Sequence, residues 1–150
     1  RNHINYTILR FGSLYGPRAD KNNGIYKIIS SAVSKKKITY YGSNRATRNY
    51  IHVEDAAYVC ARILKKNFIN KHIILMGHKK IQLKEFLKQL SKKLRIKKVL
   101  FLNKKQTGHY INAPDTFKPR VGIRYNKIKH KNFLNEVIYL TNQLRKNKKI

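Results

Sequence analysis

The chain has 150 residues, enough for one domain with a core, and its single cysteine, Cys60, excludes an internal disulfide and fits a reducing cytoplasm. No apolar run approaches the length of a membrane span, and no signal-peptide pattern opens the sequence. Thirty-five basic against six acidic residues give a charge of +29, spread along the chain with denser clusters at Lys35-Lys36-Lys37, Lys92-Lys93 and Arg145 to Lys149.

Two explanations compete for that charge. A nucleic-acid-binding protein would gather its bases into one patch. The 25 Lys, 18 Ile and 15 Asn are instead the residues AT-rich codons supply, and such a bias fills solvated faces with lysine without selecting a partner. The spread along the sequence favours the second explanation.

Tyr6 to Phe11 is rich in β-branched and aromatic residues and predicts a strand. Gly12, Gly16 and Pro17 then break the pattern, and Ser13 and Tyr15 bring hydroxyls into a loop expected from Gly12 to Arg18. A strand running into a glycine-rich polar loop is how an open α/β sheet presents a ligand crevice; an ordinary strand and turn is the alternative. After Asn23-Gly24, Ile25, Ile28, Ile29, Ala32 and Val33 fall in helical register. Ile38 to Tyr41 predicts a short strand, closed by Gly42-Ser43-Asn44.

Arg48 to Val53 alternates polar and apolar residues until a helix begins near Glu54. Glu54 and Asp55 suit its amino end, where carboxylates cap free amides, and Ala56, Ala57, Val59, Cys60, Ile63 and Leu64 supply a buried side. Lys71 to Met76 predicts another strand, and Leu83, Phe86, Leu87, Leu90 and Leu94 make the cleanest helical stripe. Val99 to Leu102 predicts a further strand; Asn103 to Arg124, marked by Pro114 and Pro119, reads as loop; a last helix is expected from about Asn132 to Arg145. No repeat or linker interrupts this order, which predicts an α/β chain with a mixed sheet and helices packed against it.

Two stretches carry a specific pattern: Leu9-Arg10-Phe11-Gly12-Ser13-Leu14-Tyr15-Gly16-Pro17-Arg18 and Arg48-Asn49-Tyr50-Ile51-His52-Val53-Glu54-Asp55-Ala56-Ala57. With Ile38 to Gly42 between them and Lys118-Pro119-Arg120 later, the whole chain resembles the carboxyl-terminal part of the NAD-dependent epimerase/dehydratase family. These are extended short-chain dehydrogenases acting on nucleotide sugars. The resemblance implies the last part of a Rossmann-type sheet plus the small mixed α/β substrate-binding region, residues 1–150 being one incomplete domain. It implies a parent reaction in which NAD oxidises a sugar hydroxyl, epimerisation or elimination follows on the ketone, and the hydride returns.

The same resemblance implies coenzyme contacts at Phe11, Gly12 and Leu14. It implies a sugar contact at Ser13, where many members carry asparagine, and a base-side wall at Tyr40 and Tyr41. Arg48 and Arg120 match positions that clamp the substrate diphosphate, and His52 and Asp55 match positions orienting the strand-to-helix turn. A homodimeric, cytoplasmic parent enzyme is implied as well. Chemistry supports the arginines independently, because a guanidinium offers a diphosphate a permanently charged, bidentate fork that lysine lacks.

Other expectations concern what the sequence does not show. The seven glycines include no cluster of the kind that lets backbone amides approach a pyrophosphate. The family's tyrosine and lysine four apart occur at Tyr125 and Lys129, about as often as ten tyrosines and 25 lysines give by chance, and in the wrong part of the pattern. The chain opens on Arg1 and its only methionine is Met76, so it is expected to be truncated or processed at its amino end; lacking the glycine-rich turn and the acid–base pair, it is expected to bind no NAD alone and to show no turnover. Six scattered histidines, three aspartates and three glutamates offer no metal-ligand spacing. Cys60 is expected to pack in the core, and Tyr110 and Phe117 to pack rather than line the sugar site from the late loop. A basic nucleic-acid-binding protein and a remnant that binds nothing stand as rivals.

Overall fold

The computed structural model describes residues 4–102 and 122–147. In chain order these form β1 (Thr7–Phe11), β2 (Ser13–Tyr15), α1 (Gly24–Lys35), β3 (Lys37–Tyr41), β4 (Thr47–Arg48), β5 (Tyr50–His52) and α2 (Val53–Arg62). A 3-10 turn at Lys66–Phe68 follows, then β6 (Lys71–Leu75), β7 (Ile81–Gln82), α3 (Leu83–Leu94), β8 (Lys98–Leu102), β9 (Ile123–Arg124) and α4 (Phe133–Asn147).

Three strands, in the order β1-β6-β9, make a parallel sheet. The smaller region holds parallel pairs β2-β5 and β3-β8 and the antiparallel pair β4-β7. Parallel pairs need crossovers, and α1, α2 and α3 lie on those connections. The sequence-level fold class therefore holds: α/β, parallel strands, four helices.

The hand-over between the two regions happens at Gly12. β1 pairs with β6 as far as Phe11 opposite Leu75, and the Gly12 N–H still donates to the Leu75 carbonyl at 2.7 Å. One residue later the Ser13 N–H donates to the Asn49 carbonyl at 2.7 Å, and β2 runs on beside β5. A Cβ on Gly12 would stand 2.5 Å from the Asn49 oxygen, so only glycine lets the strands approach this closely. Gly77, beyond β6, faces the next carbonyl in the same way: a Cβ there would collide with the Tyr50 oxygen.

Two cores follow from the helical stripes. Ile25, Ile28, Ile29 and Ala32 of α1 meet Phe86, Leu87, Leu90 and Leu94 of α3 and Val137 and Leu140 of α4, with Ile38 between them. Ile51, Val59, Ile63, Ile73, Leu75, Tyr125 and Ile128 form the second, under the β1-β6-β9 sheet.

Four local expectations are corrected. The loop expected after Gly12 contains strand β2, because pairing with Tyr50–His52 overrides the local glycine and serine signal. Within the stretch read as loop, Ile123–Arg124 pairs with Ile73–Ile74. Helix α2 stops at Arg62, which leaves Leu64 86% exposed; Ala57 is also exposed and Cys60 is half-buried. Its cap is His52, whose Nδ1 accepts the Glu54 N–H at 3.2 Å, while Glu54 and Asp55 occupy the first turn. Residues Tyr110, Phe117 and Arg120 lie outside the described residues.

Candidate functional site

Between the β1–β2 junction, the start of α1 and the outer side of β3 lies a cleft of about 350 Å³. Gly12, Ser13, Leu14, Tyr40, Tyr41 and Arg48 all line it. Six of the seven described positions expected in the site therefore meet in one place. The seventh, Phe11, ends β1 beside it and is 41% exposed.

Arg48 is held from two sides. Its Nη1 donates to the Thr47 carbonyl at 2.7 Å and its Nη2 to the Tyr40 hydroxyl at 3.3 Å. β4 pairs with β7, Arg48 opposite Ile81, so the guanidinium projects from a supported strand. Burial raises the Tyr40 pKa, with Arg48 pulling the other way, and burial raises that of Tyr50 further. Both phenols stay protonated at neutral pH and remain hydrogen-bond donors.

Several wall residues escaped the sequence reading. Asn23 caps α1 through Oδ1, accepting the Ile25 and Tyr26 N–H groups at 3.0 and 3.2 Å, and its Nδ2 donates to the Leu14 carbonyl at 2.9 Å. One side chain thus ties the helix start to β2 across the cleft. Lys27 and Asn22 also reach it. The Asn23-Gly24 pair signalled a helix start and nothing more.

Tyr50 lines this cleft and also a second cavity of about 590 Å³. Its ring stacks on Phe133 with centroids 4.6 Å apart and planes at 12°. Phe133 in turn contacts Tyr15 at 4.9 Å and Phe86 at 4.6 Å, so α4 buttresses the wall between the two cavities. Around the second cavity the segment before α4 and the first turn of α4 meet the start of α2 through one ion pair and two imidazole–carboxylate approaches. Lys131 Nζ lies 2.6 Å from Glu54 Oε2, His130 Nδ1 lies 4.0 Å from Asp55 Oδ2, and His52 Nε2 lies 3.9 Å from Glu136 Oε2. Among the described residues no group of three His, Cys, Asp or Glu could hold a metal ion. No described helix is long and apolar enough to cross a membrane.

The described residues do not fit a whole dinucleotide. Gly12 and Gly77 are required by neighbouring carbonyls of the protein itself. The first amides of α1 are already taken by Asn23, so that helix start offers no free amide cradle to a pyrophosphate. Tyr125 is buried in the second core against Phe68, and Lys129 is exposed.

The parallel sheet, its helical crossovers and the cleft beyond strand β1 are those of a Rossmann-type α/β fold. The model of the NAD dependent epimerase/dehydratase family matches residues 1–77, and the chain belongs to that family. It is 34% identical over 62 residues to a dTDP-D-glucose 4,6-dehydratase of Dictyostelium discoideum, a match covering 41% of this chain and 14% of that protein. Among solved structures, dTDP-glucose 4,6-dehydratase from Bacillus anthracis in complex with NAD superposes with a TM-score of 0.74 at 19% identity, over 94% of this chain and 45% of that one. UDP-glucuronic acid 4-epimerase from Bacillus cereus, in complex with UDP-glucuronic acid and NAD, is 26% identical with a TM-score of 0.56, over 71% and 35% of the two chains. The chain spans about half the length of these solved relatives, or less.

Proposed function

We propose that this chain is the nucleotide-sugar-binding part of an NAD-dependent sugar epimerase or dehydratase, with the ligand seated in the Gly12–Arg48 cleft. The observation that carries the reading is the Arg48 to Tyr40 contact of 3.3 Å at the wall of a cleft that also holds Ser13 and Leu14. A guanidinium supplies fixed charge to a diphosphate, and an adjacent phenol supplies a donor and an aromatic edge to a base or ribose. Lys27 adds a second cation on the opposite wall. In this reading Ser13 meets the sugar and Tyr41 the base, with Arg120 assisting at the diphosphate.

The relatives named above are complexes or enzymes of dTDP-glucose and UDP-glucuronic acid, which supports a pyrimidine diphosphate sugar as the ligand class. NAD belongs to the complete enzyme, which we take to be a cytoplasmic homodimer. By this reading the residues here contribute substrate binding without turnover.

Calorimetry with UDP-glucose, UDP-glucuronic acid and dTDP-glucose tests the proposal. Saturable heat with at least one of them, lost by tenfold or more in affinity in Arg48→Ala, is the expected result, since a charge-assisted bond contributes about 1.5–3 kcal/mol. Equal binding by wild type and variant, or no heat with any of the three, would overturn it.

A further inference from the structure

The two helix-to-strand turns that carry the densest basic runs lie side by side. α1 ends at Lys35 and turns through Lys36, in the left-handed conformation at φ 46°, into β3. α3 ends at Leu94 and turns the same way through Arg95, at φ 55°, into β8. β3 and β8 are parallel, with Lys37 opposite Lys98, so both turns fall at the same end of the pair. Clusters some sixty residues apart in sequence thus share one edge: Lys35 to Lys37 beside Lys97 and Lys98, with Lys92 and Lys93 in the last turn of α3. The spread of charge along the sequence had argued against such a patch.

From that edge a groove of about 290 Å³ runs along α1 and β3. Lys21, Lys27, Lys35 and Lys37 line it together with Tyr26 and Tyr41, and among the described residues no carboxylate does. Two of its serine hydroxyls are engaged within the protein: Ser31 Oγ lies 3.0 Å from the Ile28 carbonyl and Ser34 Oγ 2.7 Å from the Ser30 carbonyl. The four ammonium groups are the cationic donors among the described lining residues. Among the described carboxylates, Glu54, Asp55 and Glu136 gather around the start of α2, Glu85 lines the second cavity, and Asp20, next to Lys21, accepts the Asn22 and Asn23 N–H groups.

We propose that this basic edge and the α1–β3 groove bind single-stranded nucleic acid, the lysines meeting phosphates and Tyr41 stacking on a base. Tyr41, at the far end of β3 from Lys37, is 38% exposed and lines the same groove as the lysines. A membrane surface fits less well, because among the described residues the large exposed apolar side chains at the groove are Tyr41 and Leu102, and none belongs to α1 or α3. A groove is also the wrong shape for a duplex, which takes a protruding helix or ribbon. The groove meets the nucleotide-sugar cleft at Lys27, Thr39 and Tyr41, but its basic end lies outside that cleft.

The test is fluorescence anisotropy of a labelled oligothymidylate over a salt series with the 150-residue chain. One variant, Lys35→Gln/Lys37→Gln/Lys98→Gln, removes three charges from the edge. A control, Lys65→Gln/Lys66→Gln/Lys71→Gln, removes two from the α2–β6 connection and one from the start of β6. The edge variant should lower the salt slope by about 2, at about 0.7 per phosphate contact, and weaken binding about tenfold at physiological salt, while the control matches wild type. Tyr41→Ala should cost about fivefold or more, with Tyr41→Phe restoring it. The edge variant should bind UDP-sugars as wild type does, so failure here leaves the cleft reading intact. Equal losses in edge and control variants, no binding at physiological salt, equal affinity for duplex, or binding to anionic vesicles but not to the oligonucleotide would each overturn the proposal.

Discussion

Gly12 lies so close to Asn49 that a Cβ on it would stand 2.5 Å from the Asn49 carbonyl oxygen, the same oxygen that accepts the Ser13 N–H at 2.7 Å. That contact turns the chain out of the β1-β6-β9 sheet and into the wall of the cleft. Gly12→Ala should therefore move the cleft as well as destabilise the fold, by about 1–3 kcal/mol. Gly24→Ala is the control: nothing lies within 4 Å of a Cβ there, it begins α1, and it should be neutral or stabilising by up to about 1 kcal/mol. Urea denaturation of the two variants checks the pair.

Tyr40→Phe keeps the ring but removes the acceptor of the Arg48 Nη2 bond. A nucleotide-sugar affinity lower by about two- to tenfold follows from the loss of roughly 0.5–1.5 kcal/mol, with little change in thermal stability. Calorimetry and a melting curve on the same preparation separate the two effects.

Phe133 joins Tyr15, Tyr50 and Phe86 in one aromatic contact set. Phe133→Ala should cost about 3 kcal/mol of stability, and Phe133→Leu distinctly less, because it refills most of the space. Near-ultraviolet dichroism of the leucine variant should still show a weakened tyrosine signal. An unchanged melting temperature in Phe133→Ala would contradict the buttress role of α4.

Acid should loosen the junction between α2 and α4. His52 is 2% exposed, and among the described residues its Nε2 has no hydrogen-bond partner. Burial, then Lys131, holds its pKa below the ordinary 6.5, although Glu54, Glu136 and Asp55 pull upward. His130 is lowered by burial, then by His78 and Arg124, against Asp55. Because the folded values lie below 6.5, the unfolded chain takes up protons first. The stability of the neutral rings is complete above the unfolded value and is lost as pH falls below it through the folded ones. The urea midpoint should drop between about pH 7.5 and 5.5, and drop less in His52→Asn, which keeps a capping acceptor. A midpoint that rises on acidification would contradict the sign.

Much of the fold was legible because its helices bury stripes of strong period. Ile25 to Ala32 and Leu83 to Leu94 occupy the positions their spacing dictates. What was hidden depends on pairing between distant segments. Ser13–Tyr15 is a strand only because β5 lies beside it, and Ile123–Arg124 only because β6 does. The cleft was legible through motif positions, whereas Asn23 and Lys27 entered it because α1 begins beside Leu14. The convergence of Lys37 and Lys98 was invisible for the same reason: parallel register, not sequence distance, sets it.

β1 pairs on one side, with β6, among the described residues, and Tyr6, Ile8 and Phe11 along it are 49%, 41% and 41% exposed. Parallel strands are ordinarily covered on both faces, so this edge should drive self-association. Sedimentation velocity should show concentration-dependent species that Ile8→Lys reduces. A strictly monomeric wild type would remove the argument.

Amide and arginine side-chain spectra of isotope-labelled protein, recorded while UDP and then UDP-glucuronic acid are added, test the cleft most directly. Shifts should cluster at Gly12 to Leu14, Tyr40, Tyr41 and the Arg48 Nε–H, and vanish in Arg48→Ala. Shifts centred instead on His78 to Gln82 around the second cavity, or no shifts at millimolar ligand, would contradict a nucleotide-sugar site at Arg48.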